Sequence, residues 1–189
     1  MRSTLQTLIE AQPGDAPVRI ASLASGAASE LFDAVRADTS GRVFATAVDL
    51  DGEALHALSG RLAGSGAEER FTFMQGSAVP TDGEGVRLLP QSIIYALGLC
   101  EYLTDDQVTA TLNSAFDALS PGGVLVVTNL DPVNPDRELM EHLLDWKANH
   151  RTAAETTALF AASRFSGRPV DVSHDETGVT LFARVSKGA

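Results

Sequence analysis

A chain of 189 residues, 44% hydrophobic and 21% charged, has the composition of a globular protein with enough length for a sizeable core. Its formal net charge of −11, from 14 Lys+Arg against 25 Asp+Glu, repels phosphate backbones and anionic lipid, and argues against nucleic acid or a membrane surface as partner. No apolar run reaches membrane-spanning length, and the single Cys100 excludes an intrachain disulfide and a cysteine-rich metal cluster.

MRSTLQTLIEAQPGD lacks the basic-then-apolar layout of a secretory leader, so a cytoplasmic location is expected. One domain is expected over 1–189, with an N-terminal helix in 1–15 and a core in 16–189. The elements then follow in order. STLQTLIEA (3–11) reads as a short helix ended by Pro13-Gly14. VRIASL (18–23) is a buried strand, and ASELFDAVRA (28–37) a helix with Leu31, Phe32 and Val35 on one face and Ser29 as its cap. VFATAVDL (43–50) is a second strand, and 52–62 a helix that lines up Leu55, Leu58 and Leu62. FTFMQGSA (71–78) is a third strand, TDGEG (81–85) a loop, and SIIYALGL (92–99) a fourth strand. Thr104 caps an amphipathic helix over 105–119, with acids suited to the helix dipole. SPGG (120–123) is a turn and VLVVTNL (124–130) a fifth strand. Helices are expected over 136–148 and 152–163, and a hairpin over 169–185 around Asp175 to Gly178.

Strands that alternate with helices imply parallel βαβ units, and strands apolar throughout imply burial on both faces. The expected fold is therefore α/β, a Rossmann-like doubly wound, mostly parallel sheet ending in an antiparallel hairpin. Such sheets bind ligands at the carboxyl ends of their strands.

Four strand ends stand out. In ASGAAS (24–29), Gly26 permits a positive φ or a close backbone approach, flanked by the small Ala24 and Ala27; a plain packing turn is the competing reading. Asp49 lies about 20 residues past that turn, where an acid hydrogen-bonds a ribose diol, although Asp49 or Asp51 also suits a helix cap. Gln75 to Ala78 offers a polar side chain and backbone amides to a base edge, or is only a loop. From Leu97 to Tyr102, Gly98 allows approach, and Glu101 and Tyr102 add polar tips; Tyr102 also reads as a half-buried core aromatic.

Together, VRIASLASGAAS, AVDLDGEAL, FTFMQGSA, IIYALGLCEYL and LSPGGVLVVTN resemble the class I S-adenosylmethionine-dependent methyltransferases over roughly residues 15–186. TNLDPVNPDRELMEHLLDWKANHRTAAE (128–155) is similar to a branch implicated in making fatty-acid (3-hydroxypalmitate) methyl esters, through Asn129, Asn134 to Arg137, Met140-Glu141, Asp145-Trp146 and Arg151. His150 stands where that branch has tyrosine. The resemblance implies S-adenosylmethionine as cofactor, held by Ser22, Ala24, Gly26, Glu30, Asp49, Leu50, Gly76, Ser77, Ala78 and Leu97. It also implies methyl transfer to a small molecule, directed to the oxygen of a hydroxyl or carboxylate, with His150, Arg151 and Tyr102 as candidate catalytic residues.

The departures are specific. Ser22 replaces an acid that helps hold the cofactor's amino group, with Glu30 as a partial substitute. Ala24 and Ala27 stand for the first and third motif glycines, and Ser77 for an acid after strand three. Only about 17 residues precede the first strand, where the branch carries a longer N-terminal part. The substrate site is then open, or completed by a homodimer or partner chain, or the chain is trimmed.

Methyl transfer from a sulfonium needs alignment and water exclusion, not a nucleophilic triad. The four histidines lack ligand spacing, so no metal site is expected. For a carboxylate substrate, Arg137 or Arg151 offers a bidentate grip, while Arg151 also suits structural pairing with Asp145 or Glu155. Asp145 and His150 lie five apart on one expected helical stretch and approach each other only loosely. Trp146 reads as a core or interface residue. The pocket also suits other alkyl chemistry, such as cyclisation of the cofactor's own side chain. A degenerate, non-catalytic domain that binds or regulates a partner is the alternative. A nicotinamide oxidoreductase is disfavoured, because GxGxxG is absent.

Overall fold

The apolar runs pair as the parallel reading requires. The computed structural model describes residues 1–80 and 85–188, so only Gly85 of the expected 81–85 loop falls within it. Seven strands form one sheet in the order β3-β2-β1-β4-β5-β7-β6. β1 (Val18–Leu23), β2 (Val43–Asp49), β3 (Phe71–Gln75), β4 (Gln91–Ala96) and β5 (Leu119–Leu130) are parallel. β6 (Val170–His174) and β7 (Thr180–Ser186) form the antiparallel hairpin, with β7 inserted beside β5.

Because alternate side chains leave opposite faces, each central strand feeds two cores. Ile20, Val43, Ile93 and Tyr95 pack under α1 (Arg2–Glu10), α2 (Ser29–Ala37) and α3 (Gly52–Leu62). Leu23, Val48, Ile94 and Leu125 pack under α4 (Asp105–Ala118) and α6 (Ala153–Ala161). The expected stripe of α3 is buried: Leu55, Leu58 and Leu62 each contribute at most about 1.5–3 kcal/mol by leaving water. Asp51 caps α3 by accepting the Glu53 N–H at 2.8 Å, and Thr104 opens α4 in a reciprocal capping box with Gln107.

Several expected boundaries shift. Ser29 does not cap α2; the cap position is Ala28, and the Ser29 hydroxyl accepts from Arg61 Nη1 at 3.1 Å instead. β3 ends at Gln75 and β4 at Ala96, where chain turns at Gly76 and Gly98 begin. SPGG is absorbed into β5, whose pairing with β4 shifts between Gln91 and Ile93. The expected helix over 136–148 is only α5, Arg137–His142. Asp145 adopts a left-handed φ of 48°, and the Trp146 N–H donates to the Met140 carbonyl at 2.8 Å, so the chain folds back instead of continuing helically. Asp145 and His150 therefore share no helix. Among the described residues, no helix is long and apolar enough to cross a membrane.

Candidate active site

The turn after β1 winds left-handed at every second residue: φ is 51° at Ala24, 50° at Gly26 and 41° at Ala28. The third special position is thus Ala28 and not Ala27. An L-residue there costs about 1–2 kcal/mol, so two alanines hold a strained turn. A methyl added to Gly26 would meet nothing within 4 Å, so the glycine serves the backbone angle and leaves the space above it open.

Asp49 closes this turn from the end of β2. Its Oδ2 accepts the Gly26 N–H at 2.7 Å and its Oδ1 accepts the Asp51 N–H at 2.9 Å. Each carboxylate oxygen keeps a further lone pair for a ligand hydroxyl. The cap and the bridging carboxylate are separate residues, Asp51 and Asp49. Beside them Leu50 is 70% exposed. The end of β3 folds against the same loop, with the Gly76 N–H on the Asp49 carbonyl at 2.9 Å and Gln75 Nε2 on the Leu50 carbonyl at 3.3 Å. The Ser77 hydroxyl is engaged locally, donating to the Val79 carbonyl at 2.7 Å, and Ala78 packs into the α4-side core. The Ser25 hydroxyl oxygen is buried with no hydrogen-bond partner among the described residues.

Ser22 offers almost no exposed surface. It is buried, opposite Tyr95 in the β1–β4 register, because an even-numbered position on β1 faces the α1–α3 layer. The Tyr95 hydroxyl donates to Glu30 Oε1 at 2.8 Å, so the first turn of α2 brings a carboxylate to the region Ser22 leaves uncharged. Burial, then the Glu30 charge, pushes the Tyr95 phenol far above its ordinary value. Leu97 is half-buried against the same layer, and the Gly98 N–H donates to Thr128 Oγ1 at 2.9 Å, tying β4 to β5.

The ends of β4 and β5 carry the second cluster, built around Arg151. Nε donates to Asp105 Oδ1 at 3.0 Å, and Nη1 donates to the Cys100 carbonyl at 2.7 Å and Asn129 Oδ1 at 2.9 Å. Nη2 donates to the Leu103 carbonyl at 2.6 Å and pairs with Asp105 Oδ1 at 2.8 Å. Of the five N–H donors of a guanidinium, four make hydrogen bonds here, and Nη2 also lies in the ion pair with Asp105. Most of the donor capacity of Arg151 is thus tied to the fold, and its acidic partner is Asp105, not Asp145 or Glu155. His150 Nδ1 meets the Ala148 carbonyl at 3.1 Å, which places the ring proton on Nδ1 and leaves Nε2 an acceptor, 3.4 Å from Asn134 Nδ2. His150, Arg151, Arg137 and Asn149 line a cleft of about 340 Å³. Tyr102 is not in the core: it is exposed, and its hydroxyl accepts the Trp146 indole N–H at 2.8 Å.

Glu101 plays a larger part than a polar tip. It is buried, its Oε2 has no partner among the described residues, and burial raises its pKa against the lowering effect of Arg151. Burial also pushes the neighbouring Cys100 thiol to about 12. Asn149 completes the cluster, its N–H on the Glu101 carbonyl at 2.6 Å and its carbonyl receiving Asn129 Nδ2 at 2.9 Å. Asn129 is visible in the sequence as a polar residue closing an apolar strand; nothing there marks Asn149 as its partner. Among the described residues, no group of three or more His, Cys, Asp or Glu could hold a metal ion.

No family model and no curated protein matches this sequence. Solved structures do. Over 100% of its length the chain is similar to a protein from Bordetella parapertussis described as a possible exported protein, at 23% identity and TM-score 0.78, covering 66% of that chain. Over 99% it is similar to the S-adenosylmethionine-dependent methyltransferase SibL, at 16% identity and TM-score 0.71, covering 55% of that chain. Over 98% it is similar to an S-adenosylmethionine-dependent methyltransferase from Geobacter sulfurreducens solved with S-adenosylhomocysteine, at 16% identity and TM-score 0.67, covering 88% of that chain. The chain thus spans between half and two thirds of the first two of these. At 16–23% identity these likenesses establish the fold, which is the Rossmann-like fold of the S-adenosylmethionine-dependent methyltransferases.

Proposed function

We propose that this protein is an S-adenosylmethionine-dependent methyltransferase that acts on the oxygen of a small-molecule hydroxyl or carboxylate. One observation carries the reading: the Asp49 carboxylate at the end of β2 is bonded to Gly26 in a left-handed turn at the end of β1. The residues present fit the cofactor. The space above Gly26 is open, Asp49 keeps lone pairs for a ribose diol, and the exposed Leu50 offers an apolar surface beside it for a flat base. Glu30, held by Tyr95, offers a negative charge to the cofactor's ammonium group.

When bound, the cofactor supplies a methyl group on a sulfonium that already leaves readily. The chain's residues then bind, orient and exclude water. With Arg151 engaged, Arg137 is the cation for an acidic substrate; its Nε is held by Glu141 at 2.8 Å while it lines the same cleft as His150. His150, whose Nε2 faces the Asn134 amide at 3.4 Å, is our candidate base for a hydroxyl proton. Arg151 and Asn129 position this cleft against β5.

Calorimetric titration with S-adenosylhomocysteine, with NAD as control, tests the proposal. Micromolar binding of the sulfur ligand alone is expected. Asp49→Ala should weaken it about 10–100-fold, since hydrogen bonds to a charged group contribute about 1.5–3 kcal/mol. Equal affinity in the variant removes the ribose role. The engaged donors of Arg151 and the Tyr102–Trp146 bond favour a second reading, a non-catalytic domain that binds a partner. Absence of binding to any of these ligands selects it.

A further inference from the structure

We infer that residues 132–147, at the rim of the candidate site, form a docking surface for a basic amphipathic segment of another protein. This surface stands whether or not the cofactor reading does. Of the eight large apolar side chains exposed among the described residues, five lie between Val133 and Trp146. Leu143 is 72% exposed and Leu144 59%, the two side by side in the chain. Apolar side chains so concentrated mark an interaction site more often than chance exposure does.

The patch is held in place. Leu143 and Leu144 both donate their N–H to the Leu139 carbonyl, at 3.0 and 3.3 Å, so the backbone of all three is tied at one helix exit. Trp146 closes the turn onto Met140 and fixes its indole on the Tyr102 hydroxyl. Both flanks are clamped to the sheet: the Asp131 N–H donates to the Val179 carbonyl at 2.8 Å, and the Arg151 N–H to the Leu130 carbonyl at 2.9 Å. α5 has six residues, too few to persist alone, so these clamps maintain the apolar exposure.

Charge decides the occupant. Residues 132–147 contain four acids, Asp136, Glu138, Glu141 and Asp145, against Arg137 and Lys147. Both cations are already paired within the segment, with Glu141 and Asp145. The acids of Asp136 and Glu138 are left in excess there, and the whole chain carries −11. A segment that carries uncompensated acids among exposed apolar side chains suits a helix with leucine-like residues on one face and lysine or arginine beside them. A second copy of this chain would bring like charge to like charge, and an anionic bilayer would be repelled.

Trp146 is the chain's only tryptophan, so its fluorescence reports this patch alone. The full chain is titrated with a synthetic helical peptide of leucine and lysine in amphipathic spacing. A saturable blue shift is expected, with Leu143→Asp and Leu144→Asp each weakening binding about tenfold while leaving the melting temperature unchanged. Four outcomes overturn the proposal: a scrambled leucine–lysine peptide binding as tightly, a leucine–glutamate peptide binding as tightly, a blue shift only on phosphatidylglycerol vesicles, or a concentration-dependent dimer abolished by Leu143→Asp. S-adenosylhomocysteine titration of the same variants keeps failure of the docking surface separate from failure of the cofactor reading.

Discussion

Replacing Arg151 by methionine separates a structural tie from a substrate ligand. The substitution keeps an unbranched apolar stem but leaves the Cys100 carbonyl, the Leu103 carbonyl and Asn129 Oδ1 without their guanidinium donors. Only Asn129 Oδ1 is orphaned, because the Cys100 carbonyl keeps the Leu103 N–H at 3.2 Å and the Leu103 carbonyl keeps Asn149 Nδ2 at 3.0 Å. The three lost hydrogen bonds, at about 1–1.5 kcal/mol each, still give about 3–5 kcal/mol in total. Asp105 adds little, because its side chain is 74% exposed against 7% for Arg151. Total stabilities of natural domains are about 5–15 kcal/mol, so the loss is a large share and lowers the melting temperature by about 10 °C. Equilibrium urea unfolding measures it, with Asp105→Asn as a control expected within about 1 kcal/mol of the parent. Arg151→Lys should recover only part of the loss, since an ammonium has three donors and no planar fork. An Arg151→Met variant that unfolds like the parent yet loses affinity for an acidic substrate would refute the structural role.

Three further outcomes are expected. Ala24→Gly should raise the melting temperature by about 1–3 °C, because relief of left-handed strain exceeds the added entropy of the unfolded chain, whereas Ala28→Gly should be near neutral, since it also removes a buried methyl; a fall at Ala24 would show that its methyl packs usefully. Burial raises the pKa of Glu101 in the folded state, so the stability linked to its protonation is complete below the ordinary value of 4.5 and is lost as pH rises through the folded value. Glu101→Gln should then gain on the parent as pH rises from acid towards neutrality, and parallel melting curves across that range would contradict this. Glu30→Gln should weaken S-adenosylhomocysteine several-fold while sparing 5′-methylthioadenosine, which lacks the amino-acid tail; equal losses for both ligands would place Glu30 outside the tail site.

What was legible in the sequence was local or periodic. The apolar runs VRIASL and VLVVTNL predicted buried parallel strands because burial on both faces leaves no room for alternation. Thr104 and Asp51 were readable as caps because a cap is satisfied within three residues. The acid at Asp49 was readable because its distance from the turn follows from one βαβ unit. By contrast, the expected helix over 136–148 failed at Asp145, where contacts to Met140 and Tyr102 outweighed helical spacing. The third left-handed position lay at Ala28 and not Ala27, a choice the backbone makes and two adjacent alanines do not reveal.

The sequence by itself thus determined the α/β alternation, the Asp51 and Thr104 caps and the acid that closes β2, since each depends on neighbours a few positions away. Only the tertiary structure decided how residues far apart in the chain divide their hydrogen bonds. It engaged four donors of Arg151, across 46 to 51 positions with Cys100, Leu103 and Asp105, and across 22 with Asn129. It buried Ser22 beneath Tyr95 and brought Glu30 to the phenol, and it left Leu143 and Leu144 in solvent. A guanidinium or a leucine has the same chemistry wherever it stands, and what lies opposite it once the chain has folded determines whether it supports the fold or meets a ligand.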